Sequence, residues 1–341
     1  NRDQMKTLFL TEDDFKDHIE VSVGLKLSNL SPYLTKSQGE DELIRIMGET
    51  LYQTLVDKVN DNTIGDPGNE AWAALLPYAR KPLINMAVLE WSRLGGMTIS
   101  SGGMTLSTDR EKQAYQWQRI ELQDKLQVDA SLGLEKLFQF LDKNKADYPD
   151  WVASDQFAEL KGHFITTAKD FQRWVNIGSS RRMLSVLEPI ITAVEQMDIR
   201  NILGDTLFEA LMDGIFNDTL SADQEKLLGK IQPVIAHRAI VRAVDDLSLT
   251  ITPEGMFLYT ITASGASQVR KKGAAELERL EKYKAMHRES ADNWSEVLRR
   301  YLNSNASLFP GFEDEGAYED PDTSTQTYDN SDTSNSIWNG L

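Results

Sequence analysis

The side chains in this sequence best suited to metal ligation or proton transfer are its four histidines, His18, His163, His237 and His287. No two stand four residues apart, the spacing that would put both on one helix face around a zinc ion. They read as ordinary surface or packed histidines, with a site assembled from distant positions as the alternative. Asp57 and Asp213 recur at matching places in the two halves of the chain, each near an expected helix end, where a short carboxylate accepts local backbone hydrogen bonds. Acid–base catalysis would need a second carboxylate or histidine in reach and a shifted pKa. The pairs Gly95-Gly96 and Gly102-Gly103 lack the lysine and hydroxyl residue of a phosphate-binding loop, and they fit helix termination and a tight turn instead. The sequence holds no cysteine, which excludes thiolate catalysis, disulfides and cysteine-ligated metals. The expectation is a protein with no catalytic, cofactor-binding or metal-binding residues. An enzyme with a site built across both halves stands as the rival.

The elements that would carry any site are organised by an internal duplication. Leu8-Phe9-Leu10-Thr11 recurs as His163-Phe164-Ile165-Thr166, and Ile46-Met47-Gly48-Glu49-Thr50-Leu51-Tyr52 as Ile202-Leu203-Gly204-Asp205-Thr206-Leu207-Phe208. Gly103-Met104-Thr105-Leu106 matches Gly255-Met256-Phe257-Leu258, and Tyr148-Pro149-Asp150-Trp151 matches Phe309-Pro310-Gly311-Phe312. The spacing between blocks drifts while the blocks stay intact, as expected when loops vary and packed elements do not.

Hydrophobic periodicity predicts a helix over 40–60, from Leu43, Ile44, Met47, Leu51, Leu55 and Val59. A second is predicted over 70–94, kinked or split at Pro77 and Pro82. Alternating residues predict a hairpin around Met97, Gly103 and Leu106, and another around Pro253, Gly255 and Phe257. A long helix then follows each hairpin, over 109–130 and 266–287, with a separate last helix carrying Leu134 to Leu141 or Trp294 to Tyr301. Gly48 and Gly204 fall inside helical patterns, where glycine costs about 1 kcal/mol against alanine; a close helix crossing is the expected reason. The fold class expected is therefore mainly α: two duplicated antiparallel helical units, 1–155 and 163–312, each with an inserted β-hairpin. An extended acidic C-terminal arm, 313–341, completes it.

The formal charge of -17 over 341 residues opposes free nucleic-acid binding, which needs a basic face. No apolar run reaches the roughly 18 residues needed to span a bilayer, and no membrane or secretory segment is expected. The arm carries eight acidic and no basic residues, a composition that need not fold alone. Ile337 and Trp338 would anchor it to a partner; lying against its own domain is the alternative. The basic group Arg270, Lys271 and Lys272 reads as a solvated surface or as salt bridges between subunits, including a head-to-tail contact with a neighbour's acidic arm.

Placed together, the repeated Leu-Thr entry segments, antiparallel helices and interrupting hairpins resemble tailed-phage head–tail adaptor or connector (neck) proteins, in the duplicated form seen in phages of Bacteroidota. The resemblance covers residues 8–155 and 164–312 and rests on domain pattern. It implies a structural ring subunit in the virion neck, assembled in the host cytoplasm and linking the portal protein to the tail or a second neck protein. DNA would pass through the ring without sequence-specific binding. The hairpins at 97–106 and 247–261 would touch neighbours or face the channel, and the arm would reach the portal, a neighbouring subunit or a tail component. The alternative is a noncatalytic adaptor or binding module of another large assembly.

Overall fold

The computed structural model describes residues 6–16, 18–19, 26–94, 97–100, 103–106, 116–252, 255–258 and 274–316. In the first half, α1 (Asp13–Lys16), α2 (Leu27–Leu34), α3 (Gln38–Met47) and α4 (Glu49–Asn60) lead into a long antiparallel pair, α5 (Glu70–Leu94) and α6 (Gln116–Lys143). Short helices α7 (Pro149–Val152) and α8 (Asp155–Lys161) close it. The second half runs α9 (Ala168–Gln172), α10 (Arg181–Val194), α11 (Arg200–Leu203), α12 (Asp205–Asn217), then the long pair α13 (Ala222–Ser248) and α14 (Ala274–Ser304), then α15 (Phe312–Glu315). One contiguous core extends from Leu8 to Leu160 and a second from Phe164 to Phe312.

Both cores are furnished by helices and their connecting turns, which corrects the expected mixed fold. The packed body of each unit is helical, not helical with a β-hairpin inserted into it. Antiparallel pairing among the described residues amounts to two ladders of four residues per strand. Met97–Ser100 pairs with Gly103–Leu106, and Leu249–Thr252 with Gly255–Leu258, each ladder falling between the two long helices of its unit in chain order. A two-stranded ladder of this length is marginal on its own, so the long helices define the units. The arm beyond Gly316 lies outside the described residues.

The helices also differ from expectation in where they break. The predicted 40–60 helix is two, because Gly48 adopts φ 76° and ψ 151°, a conformation open almost only to glycine. Gly204 does the same between α11 and α12, with φ 80° and ψ 163°. These glycines are therefore helix junctions and not mid-helix spacers. Conversely, α5 runs unbroken through Pro77 and Pro82. Gly133 of α6 accommodates one of these prolines: a Cβ there would lie 3.1 Å from Pro82 Cδ. Close packing of α5 on α6 thus holds a helix that local propensity would split. The separate helices expected after each ladder are single continuous ones, α6 and α14.

The two junction glycines differ in surroundings. A Cβ on Gly204 would come within 2.8 Å of the Glu315 and Gly316 backbone, whereas on Gly48 it would meet the movable Gln156 side chain at 3.1 Å. Gly204→Ala is therefore expected to lower unfolding free energy more than Gly48→Ala. The shared conformational penalty is about 1–3 kcal/mol, and Gly204→Ala adds a backbone clash to it; urea denaturation of both variants measures the difference.

Candidate interaction site at the seam between the units

The seam forms where α10 of the second unit packs on α6 of the first, with ion pairs reaching from α10 to α3. Ser180 starts α10 by accepting a hydrogen bond from the Met183 N–H at 3.2 Å. Two arginines follow at once, at a helix end whose dipole disfavours cations. Their carboxylate partners lie across the seam. Arg182 pairs with Glu42 at 3.1 Å, and Arg45 pairs with Glu188 in the reverse direction. Arg181 is buried: Nη1 donates to the Thr166 carbonyl at 2.6 Å, and the guanidinium stacks 4.2 Å above the Phe138 ring. It also faces the buried Glu135 carboxylate at 3.7 Å. Burial lowers the Arg181 pKa from its ordinary value, opposed by Glu135 and Glu188. Arg181 Nε and Glu135 Oε2 make no hydrogen bond, so this pair is held by packing more than by ideal geometry.

A second set of contacts ties the units further along. Lys161, only 5% exposed, reaches Asp142 and Asp218 at 3.1 Å each, and Asp218 also takes Lys145. Burial would raise the Asp218 pKa, but hydrogen bonds from Lys145 and Lys161 prevail and hold it below the usual carboxylate value. Beside them, aromatic edges pass from Phe138 to Trp151, then to Phe157, then to Phe216 in the second unit. Trp151 is fixed by its Nε1–H, which donates to the Ile46 carbonyl at 2.7 Å.

Where α10 leaves this contact, the seam opens into a groove of about 610 Å³ lined by Glu42, Arg45, Asp124, Val128, Met183 and Val186, among others. Val128, Met183 and Val186 are exposed by 52%, 45% and 51%. Three exposed apolar side chains with a charged rim are the composition found where protein surfaces meet.

The histidines fall in two places. His163 Nδ1 contacts the buried Glu195 at 2.8 Å, whose other oxygen accepts the Phe164 N–H at 2.8 Å. Burial lowers the His163 pKa, but the Glu195 carboxylate outweighs it and the net shift is upward. Glu195 opens a π-helical turn, Glu195–Ile199. His237 and His287 meet Nδ1 to Nδ1 at 2.8 Å between α13 and α14, with the Tyr283 ring 4.4 Å from that of His287. Only one of the facing nitrogens can carry the proton, so the accepting ring is neutral and the two rings cannot both be charged. Burial and then His287 push His237 down to about 4, and burial lowers His287. Sequence spacing could not have revealed this pair. Among the described residues, no three His, Cys, Asp or Glu side chains are placed to hold a metal ion. No described helix is long and apolar enough to cross a membrane.

The side-chain partners of the recurring aspartates are other side chains: Lys6 and Gln53 for Asp57, Asn217 for Asp213. Local backbone capping was the expected role, and it is not the one these carboxylate oxygens play. Of the interface residues expected from sequence, Met97, Gly103, Leu106, Gly255 and Phe257 lie in the two ladders, away from the seam in chain order. Pro253, Arg270, Lys271, Lys272, Ile337 and Trp338 lie outside the described residues. The sequence reading also missed one repeat that positions the seam. Leu27-Ser28-Asn29-Leu30-Ser31-Pro32 of α2 reappears as Leu184-Ser185-Val186-Leu187-Glu188-Pro189 of α10, and Leu30 and Leu187 are both buried. The two proline-bearing segments were the signal that could have found it.

Arg181→Ala leaves Glu135 buried without its cation and is expected to destabilise the protein by about 3–5 kcal/mol, while the double change Arg181→Met with Glu135→Met loses less; urea unfolding compares them. The histidine pair sets a pH effect of definite sign. Since the folded pKa values of His237 and His287 lie below the ordinary 6.5, their contribution is full above about pH 6.5 and is lost as pH falls toward 4. His163 acts oppositely, contributing fully below 6.5 and losing that contribution as pH rises through its raised value. Denaturation midpoints between pH 7 and 4 are therefore expected to fall more steeply for the wild type than for His237→Gln.

No curated protein and no solved structure matches this chain. One family profile matches it twice, over residues 43–160 and again over 199–322, each match taking in a junction glycine and a long helix pair. On that double match the chain belongs to the family of unknown function DUF6712.

Proposed function

We propose that the chain is a noncatalytic structural subunit of a tailed-phage neck. It would form a homo-oligomeric ring in the virion that links the portal protein to the tail or a second neck protein, with DNA passing through the channel unread. The observation that carries this reading is the seam: two copies of one helical module stacked in a single chain, with Val128, Met183 and Val186 exposed along the groove between them. A protein built to join others needs apolar surface left open in the isolated subunit, and contiguous patches of this kind mark contact sites. The acidic balance of -17 is compatible with a conduit that repels DNA and does not trap it. Assembly in the host cytoplasm, before incorporation in the virion, belongs to the same reading.

Light scattering of the purified full chain, followed by cryo-electron microscopy of native particles, tests it. A closed ring of defined multiplicity, seated between portal and tail, is expected. A chain that stays monomeric at every concentration and is missing from the particle overturns the proposal. Capture of a cellular complex in place of portal and tail proteins overturns the neck assignment and favours an adaptor in another assembly.

A further inference from the structure

The internal seam is a heterologous contact: the outer face of α10 meets a different surface, made by α3 and α6. In a duplicated chain, each side of such a contact has a counterpart in the other unit. The repeated Leu-Ser-x-Leu-x-Pro segment places Lys26, Ser28 and Asn29 at the start of α2 where α10 carries Met183, Ser185 and Val186. The match of buried Ala130, Leu137 and Leu141 with Ala291, Leu298 and Leu302 places Glu289, Asp292 and Glu296 of α14 where α6 carries Val128, Ser131 and Glu135. In the folded chain all six of these counterpart residues are exposed.

A smaller cavity supports the correspondence. A groove of about 250 Å³ is lined by Asp198, Arg242, Arg288 and Asp292, among others. Asp198, Arg288 and Asp292 hold the positions that Glu42, Gln127 and Ser131 hold in the seam groove. The second unit thus presents the receiving surface of the seam without an α10 lying on it.

We infer that a second copy of this chain occupies that surface, its α2 lying on α14 as α10 lies on α6. Lys26 would face the three exposed carboxylates Glu289, Asp292 and Glu296 of α14, at the edge of a groove whose own lining carries Arg238, Arg242 and Arg288 beside Asp198 and Asp292. The character of the contact differs from its template. Apolar Val128, Met183 and Val186 correspond to Glu289, Lys26 and Asn29, so the contact between chains is polar and salt-sensitive where the internal seam is partly apolar. Repetition of one heterologous contact yields a closed ring when the rotation closes, and a filament otherwise. This inference rests on the ring reading for its occupant and adds the surfaces that meet.

Sedimentation velocity of the full chain at low and high salt tests it, with two charge reversals on exposed positions, Lys26→Glu and Asp292→Arg. Each variant alone is expected to weaken self-association on the order of tenfold or more, with an unchanged circular dichroism spectrum. An equimolar mixture of the two is expected to recover association, because an intact α2 from one meets an intact α14 from the other. Wild-type oligomers that neither reversal weakens overturn the α2 to α14 contact and leave the ring reading standing. A wild type that is monomeric at all concentrations and salts removes the ring reading itself.

Discussion

Burial of Arg181 between Glu135 and Phe138 is the constraint on which the relation of the two units depends. A guanidinium taken out of water is tolerated only with compensating partners. Here those partners come from both halves: the Thr166 carbonyl from the second, Glu135 and the Phe138 face from the first. Separation of the units would leave both Glu135 and Arg181 with broken contacts. The partly exposed pairs Arg182–Glu42 and Arg45–Glu188 add less to stability, yet they fix α10 to α3. The aromatic edge contacts from Phe138 to Phe216 act in the same direction, since they too cross from one core to the other.

This arrangement leaves a division of labour between like parts. The long pairs α5–α6 and α13–α14 form the longest continuous elements of each core, while the shorter helices and turns contribute the larger share of its buried side chains and fix the angles at which chain segments enter and leave. Gly48 and Gly204 serve that second purpose, and α15 shows how closely. Glu315 accepts hydrogen bonds from the Thr206 N–H at 2.8 Å and the Thr206 hydroxyl at 2.9 Å, so the end of the second unit caps the helix that Gly204 begins. In the first unit the corresponding place beside Gly48 is taken by Ser154 and Gln156. One module has thus been closed by two different side-chain solutions, as expected where a packed scaffold is kept and its connections vary.

Much of this was legible in the residues. The 70–94 helix stood out because its apolar side chains recur at helical spacing, and the duplication because junction glycines and aromatic closures repeat in order. The break at Gly48 was not legible as a break: apolar periodicity passes through it, and only backbone conformation distinguishes a junction glycine from one that permits a close crossing. Pro77 and Pro82 misled in the opposite direction, since the contact with Gly133 that steadies α5 joins residues far apart in the chain. The ladders were read as inserted parts of the units, whereas the cores are completed by helices.

The order of apolar and turn-forming residues determined by itself that the chain is helical, doubled and free of cysteine chemistry, because periodicity and composition act over a few residues and need no partner. Tertiary structure alone decided that Arg181 meets Glu135, that His237 faces His287, and that α10 rather than either ladder makes the contact between units. Those outcomes depend on which helix faces are brought together, and no local preference of the chain encodes a distance between side chains separated by tens of residues.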